Sequence, residues 1–270
     1  MGRAMRWMAA LALLGATSTA LAQRGYVGFD KDGYPGDDLL PALHKTFAFT
    51  GYWLSDPPGM TSNPWAGKRA VVRAAGFGFL ILFNGRLDAQ LRGQNAAALG
   101  SSDGAEAAAA ARREGFPAGA TIFLDQEEGG ALLPEQLDYV RAWIDAVARA
   151  GFGAGVYCSG IPVAAGAVRI STAADVEKRF PGVALWVWDD RCPPAPGCVA
   201  PKRGLQPAMS GYRNAEVWQY AVTPRKPEDS AGCAATYAPD AKCYVPGLPH
   251  SEATYVDLDV SSSPDPSHGR

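Results

Sequence analysis

The chain has little of most things that mark a specialised class of protein. Its 270 residues hold five cysteines and three histidines. No C-x-x-C occurs, and His44, His250 and His268 do not cluster, so a zinc site is not expected. Neither sign of charge dominates: 25 Lys+Arg face 27 Asp+Glu, a formal net charge of −2. That balance argues against a nucleic-acid protein, which carries a basic face. Beyond the N-terminus no stretch approaches the roughly 20 apolar residues of a bilayer span. The 31 glycines and 21 prolines follow no period, which excludes a collagen-like chain. Gly25-x-x-Gly28 is not the G-x-G-x-x-G of a dinucleotide-binding open sheet. Long linkers and charge runs are missing too, and the one low-complexity stretch, Ala105–Ala111, reads as helix.

What remains is a core-forming composition. Apolar residues make up 47%, aromatic residues 10% and charged residues 19%, enough apolar surface to offset chain entropy. Residues 1–22 read as a secretory signal peptide. Arg3 and Arg6 start it, Met8 to Leu14 is a short apolar run, and Ala20-Leu21-Ala22 is a small-x-small cleavage site. The expected organisation is therefore signal peptide 1–22, one domain over 23–262, and a short tail over 263–270. An exported chain meets an oxidising environment, which favours disulfides. Cys192 and Cys198 flank a Pro/Gly turn, and Cys233 and Cys243 bracket a loop, so proximity pairs 192 with 198 and 233 with 243. Four cysteines allow three connectivities. Cys158 is left as a buried free thiol.

Short apolar segments alternate with helical ones. Strands are expected at 26–30, 47–53, 77–84, 120–125, 153–158, 184–188, 215–220 and 255–259. Most are continuous apolar runs, as in strands covered on both faces, hence a parallel sheet. The clearest helix is 134–150, where Leu137, Val140, Ile144 and Val147 recur at three- and four-residue steps between Pro134 and Gly151. Segments 65–75 and 104–114 are the next best. Eight strands with helices between them point to an α/β fold, a single (β/α)8 barrel with irregular last crossovers at 189–214 and 221–254. A doubly wound open sheet is the alternative.

In such a barrel the chemistry sits at the C-terminal ends of strands. Acids recur there: Asp30, Asp125 with Glu127, Asp189 with Asp190, and Asp257 with Asp259. A carboxylate in an apolar strand is costly unless paired or functional. In D-x-E, residues two apart on a strand share a side. Two close carboxyls push one pKa up, so one keeps its proton, the equipment for cleaving a glycosidic bond. A solvated loop over Glu127, Glu128 and Gly129-Gly130 is the plain alternative. Aromatic residues near strand ends, among them Trp53, Tyr157, Trp188, Trp218 and Tyr220, suit stacking on sugar faces and equally suit core packing.

The ordered set GFD, FLDQEEGG, AGFGAGVYCSG, ALWVW, VWQYA and YVDLDV resembles the glycoside-hydrolase-like domain family typified by a secreted mycobacterial protein. That family is related to family 25 glycoside hydrolases, the Chalaropsis-type muramidases. The resemblance spans most of residues 25–260. It implies Glu127 as the acid, with Asp125 stabilising charge or orienting an N-acetyl group. Asp30 would support the site and Asp257 would be the late-strand acid. Trp188, Asp189, Tyr157, Trp218, Gln219, Tyr220 and Trp53 would line the sugar cleft. A chitinase-type D-x-x-D-x-D-x-E fails, because Ala120 and Phe123 stand where it needs aspartates. The expectation is an exported, monomeric hydrolase of peptidoglycan or a related N-acetylated polysaccharide. It needs no cofactor and no metal, and neither binds nucleic acid nor stays in the membrane. The rival is a non-catalytic carbohydrate-binding or envelope-interaction barrel.

Overall fold

The computed structural model describes residues 25–190, 204–224 and 240–270. Its strands are β1 (Tyr26–Asp30), β2 (Phe49–Trp53), β3 (Gly78–Asn84), β4 (Thr121–Gln126), β5 (Gly153–Ser159), β6 (Val163–Ala165), β7 (Val168–Ile170), β8 (Ala184–Trp188), β9 (Ala215–Ala221) and β10 (Asp257–Ser261). Eight of them close into a barrel in the order β1-β10-β9-β8-β5-β4-β3-β2, while β6 and β7 form a separate hairpin. The α/β barrel expected from the sequence is therefore present.

One strand departs from the all-parallel expectation. β10 runs antiparallel to both β1 and β9, whereas the other barrel pairs are parallel. A parallel return needs a crossover, usually a helix. Among the described residues 222–224 and 240–256 there is none, only turns and a Tyr244–Tyr255 bridge. The chain thus re-enters the barrel from the end at which β9 left it, and the first residue of β10 stands at the mouth.

Inside, side chains alternate in layers. Gly155 leaves room for Phe123, whose ring lies 2.5 Å from where a Cβ would stand. Phe123 meets Trp186 edge-on at 6.0 Å. One step toward the mouth, the same alternation places Asp125, Tyr157 and Trp188.

Outside, α4 (Ala96–Glu114) packs on α5 (Pro134–Arg149). A Cβ on Gly100 or Gly104 would meet the backbone carbonyls of Tyr139 and Trp143 at 2.2 and 2.7 Å, so the small residues of α4 let the two helices approach closely. α4 begins eight residues before the expected 104, because Asn95 caps it by accepting from the Ala98 N–H at 3.0 Å. The segment expected as helix 65–75 is helical only over α2 (Arg69–Ala74). Trp65 is fully buried ahead of it, and its indole N–H donates to the Asp32 carbonyl.

Residues 263–270, expected as a tail, close the bottom of the barrel. The Asp265 carboxyl accepts from the Phe79 N–H, and the Ser267 hydroxyl from the Ile81 N–H. Ser267 also bridges β3 and β4 through its backbone, donating to Phe79 and accepting from Thr121. The remaining helices, α1 (Leu40–Leu43), α3 (Asp88–Leu91) and α6 (Thr172–Arg179), are short. Among the described residues no helix is long and apolar enough to cross a membrane.

Candidate active site

The reversed strand sets the floor of the mouth. Asp30 ends β1, Asp257 begins β10, and the two are register partners. Asp257 thus enters the site from the start of its strand, with the Thr223 N–H donating to it at 2.6 Å. Two residues further along β10, Asp259 faces the same interior, fully buried, and accepts from the Trp186 indole at 3.0 Å. Gln219 on β9 donates to both Asp30 oxygens at 2.9 Å and accepts from the Tyr157 hydroxyl at 2.7 Å.

Burial dominates the electrostatics. It pushes the Asp30 carboxyl up to about 7, against the Gln219 hydrogen bonds that lower it, and the charge of Asp32 adds to the rise. Burial, then the neighbouring acids with Asp30 first among them, holds Asp257 and Asp259 well above the usual carboxylate range. Tyr157 is kept protonated by burial and by the charges of Asp125, Asp30, Asp257 and Glu127. The floor therefore stores protons at neutral pH.

The D-x-E straddles the end of β4. Asp125 is buried, and burial followed by the charge of Glu127 raises it well above the ordinary range. Its Oδ1 finds no hydrogen-bond partner among the described residues. Gln126 is the last ladder residue, paired with Cys158. Glu127 stands just beyond it, exposed, on the wall of a 290 Å³ cleft shared with Tyr157, Trp188 and Val222. The Trp188 indole N–H is buried and unpartnered among the described residues. A second cavity of 430 Å³ lies on the β1–β10 side, against Asp30, Lys31, Asp257 and Tyr255. The two flank a cluster of carboxyls that burial and mutual repulsion hold protonated beside water-accessible space.

Other expected cleft residues lie elsewhere. Gln219 faces the interior, so alternation turns Trp218 and Tyr220 to the opposite face of β9. Their rings pack together at 5.7 Å, and the Trp218 indole donates to the Asp189 carbonyl. Trp53 is buried and donates to the Lys31 carbonyl. Asp189, half-buried, is joined to β9 through its N–H, which donates to the Gln219 carbonyl. Gln219 itself is committed to Asp30 and Tyr157. Sequence reasoning passed over Asp32, which raises Asp30, Asp125 and Asp257. Its signal was adjacency: it stands two positions past Asp30.

Among the described residues no group of His, Cys, Asp and Glu has an arrangement that would hold a metal ion. Cys158 is a buried free thiol, as expected. Cys192, Cys198 and Cys233 lie outside the described residues, and with them both pairings, including that of Cys243; so does the segment 1–22.

Residues 46–196 match the model of the Rv2525c-like, glycoside hydrolase-like domain. No curated protein matches the chain. Among solved structures, an uncharacterized B. stearothermophilus protein is 21% identical at a TM-score of 0.57, with 88% of this chain and 96% of that chain covered. The Mycobacterium tuberculosis Tat-secreted protein Rv2525c, solved with L-tartrate, is 14% identical at a TM-score of 0.52, with 88% and 94% covered. A family 25 glycosyl hydrolase from Bacillus anthracis is 13% identical at a TM-score of 0.48, with 87% and 88% covered.

Proposed function

Because the chain belongs to the Rv2525c-like family of glycoside hydrolase-like domains, we propose that it is an exported glycosidase acting on peptidoglycan or a related N-acetylated polysaccharide. The Asp125–Glu127 pair carries this reading: one carboxyl is sunk below the mouth and the other stands on the cleft wall. Glu127 passes a proton to the glycosidic oxygen as the sugar C–O bond breaks. Water then adds its hydroxyl to the sugar carbon and returns its proton to the pair. Asp125, which burial and the charge of Glu127 hold protonated at rest, supplies the proton that Glu127 passes on, and the carboxylate so formed steadies the positive character that develops on the sugar ring. The unpartnered Trp188 N–H suits the carbonyl of an acetamido group, and Val222 suits its methyl. Asp30 and Asp257 complete the floor. The steps use only carboxyl groups and water.

The test is to incubate protein lacking residues 1–22 with purified peptidoglycan and to measure new reducing ends. Wild type releases them and Glu127→Gln does not. No release by wild type, or full release by the variant, overturns the proposal. Saturable retention on the glycan without products leaves the binding-only barrel in its place. Export is checked separately by cell fractionation, where a chain retained whole in the cytoplasm overturns that part.

A further inference from the structure

Glu128 follows the proposed acid directly, and its carboxyl does not point to solvent. Its Oε2 accepts from the Asp88 N–H at 2.6 Å, at the first turn of α3, and from the Gln136 amide at 2.5 Å, in the first turn of α5. Its backbone carbonyl accepts from the Thr172 hydroxyl at the start of α6 at 3.1 Å, and Thr172 is fully buried. One residue is thus tied to three helices. A few residues on, the Leu132 N–H donates to Asp175, which Arg179 holds at 2.9 Å through both oxygens. On the other side of Glu127, Gln126 is fixed in the β4–β5 ladder. The exposed acid therefore stands between two anchored neighbours, on a segment that would otherwise be a free loop rich in glycine.

We propose that Glu128 is a positioning residue, which fixes the backbone beneath Glu127 and so aims its carboxyl at the cleft. The proposal rests on the glycosidase reading for its catalytic consequence, but not for its structural one. Both donors are neutral N–H groups, so the requirement is an acceptor oxygen and not a charge. Glu128→Gln keeps such an oxygen; Glu128→Ala removes it. Misplacing a reacting group by about 1 Å costs up to about 100-fold in rate without the same loss in binding.

The experiment compares wild type, Glu128→Ala and Glu128→Gln by amide hydrogen exchange and by steady-state kinetics on soluble glycan. In Glu128→Ala, exchange over residues 126–133 is expected to rise about tenfold while the barrel strands keep their protection, since local opening is independent of the global fold. Its kcat is expected to fall 10- to 100-fold with KM within about threefold, and Glu128→Gln restores both readouts. Unchanged exchange in Glu128→Ala, or a Glu128→Gln variant as loose as the alanine one, overturns the proposal. Uniform loss of protection over the whole barrel also overturns it, because the role is then general stability. If wild type shows no turnover, the glycosidase reading fails alone, and exchange still decides the role of Glu128.

Discussion

Gln219 and Asp30 stand 189 positions apart in the chain and meet inside the barrel, where one amide nitrogen donates to both oxygens of one carboxyl at 2.9 Å. The contact joins β9 to β1 across the reversed strand, and Tyr157 steadies it from β5. Gln219→Leu removes the donor and strands a buried acid. The expected cost is about 1–3 kcal/mol. The loss is larger at pH 8, where Asp30 is ionised, than at pH 5, where it keeps its proton. Denaturant unfolding at the two values checks this, and equal losses would refute it.

The floor acids also set how stability depends on pH. A carboxyl with a folded pKa above its unfolded value stays protonated in the native state after the unfolded chain has lost its proton. Native Asp30 titrates at about 7, against 3.8 unperturbed. Stability is therefore expected to decline as pH climbs from about 4 through 7, and Asp30 alone accounts for at most about 4 kcal/mol. Asp125, Asp257 and Asp259 act in the same direction. Midpoints of urea unfolding measured from pH 4 to 8 test this. Asp30→Asn flattens the curve, and a rise with pH would contradict it.

The two members of the D-x-E pair are expected to separate function from stability. Glu127→Gln lowers turnover by about 10²- to 10⁴-fold and leaves the melting temperature unchanged, because the side chain is exposed. Asp125→Asn also lowers turnover, yet raises the melting temperature at pH 7.5, since a buried acid with an unpartnered oxygen is replaced by a neutral isostere. Melting curves read beside reducing-end assays test both. A destabilised Asp125→Asn would count against the burial argument.

Ser267 is expected to matter far more than its place near the C-terminus suggests. Ser267→Ala leaves the buried Ile81 N–H without its acceptor, a loss of about 1–3 kcal/mol. Unfolding midpoints of Ser267→Ala and of an exposed-site control such as Ser262→Ala separate this bond from a general effect of the segment.

The eight barrel strands were legible because most are compact apolar runs, and the acids at their ends were legible because carboxyls in such runs stand out. The direction of β10 was not. Leu258 and Val260 read alike in either sense, and direction depends on the path of the connection before them. Alternation could have sorted the Trp218-Gln219-Tyr220 triplet, because three consecutive strand residues never share a face. Glu128 was hidden for a different reason. Its partners Asp88, Gln136 and Thr172 come from three separate helices, and nothing in the local pattern announces them. The extent of α4 was masked by its alanines and glycines, which carry little amphipathic signal.

The seam at the foot of the barrel has a consequence for how the molecule comes into being. Ser267 bridges β3 and β4 there while Asp265 holds β3, and in the backbone ladder β1 is linked to β9 through β10. A chain emerging in order leaves the sheet open between β9 and β1 until β10 is free to pair with both. The acid that β10 contributes to the mouth, Asp257, therefore joins Asp30 only at the step that closes the barrel.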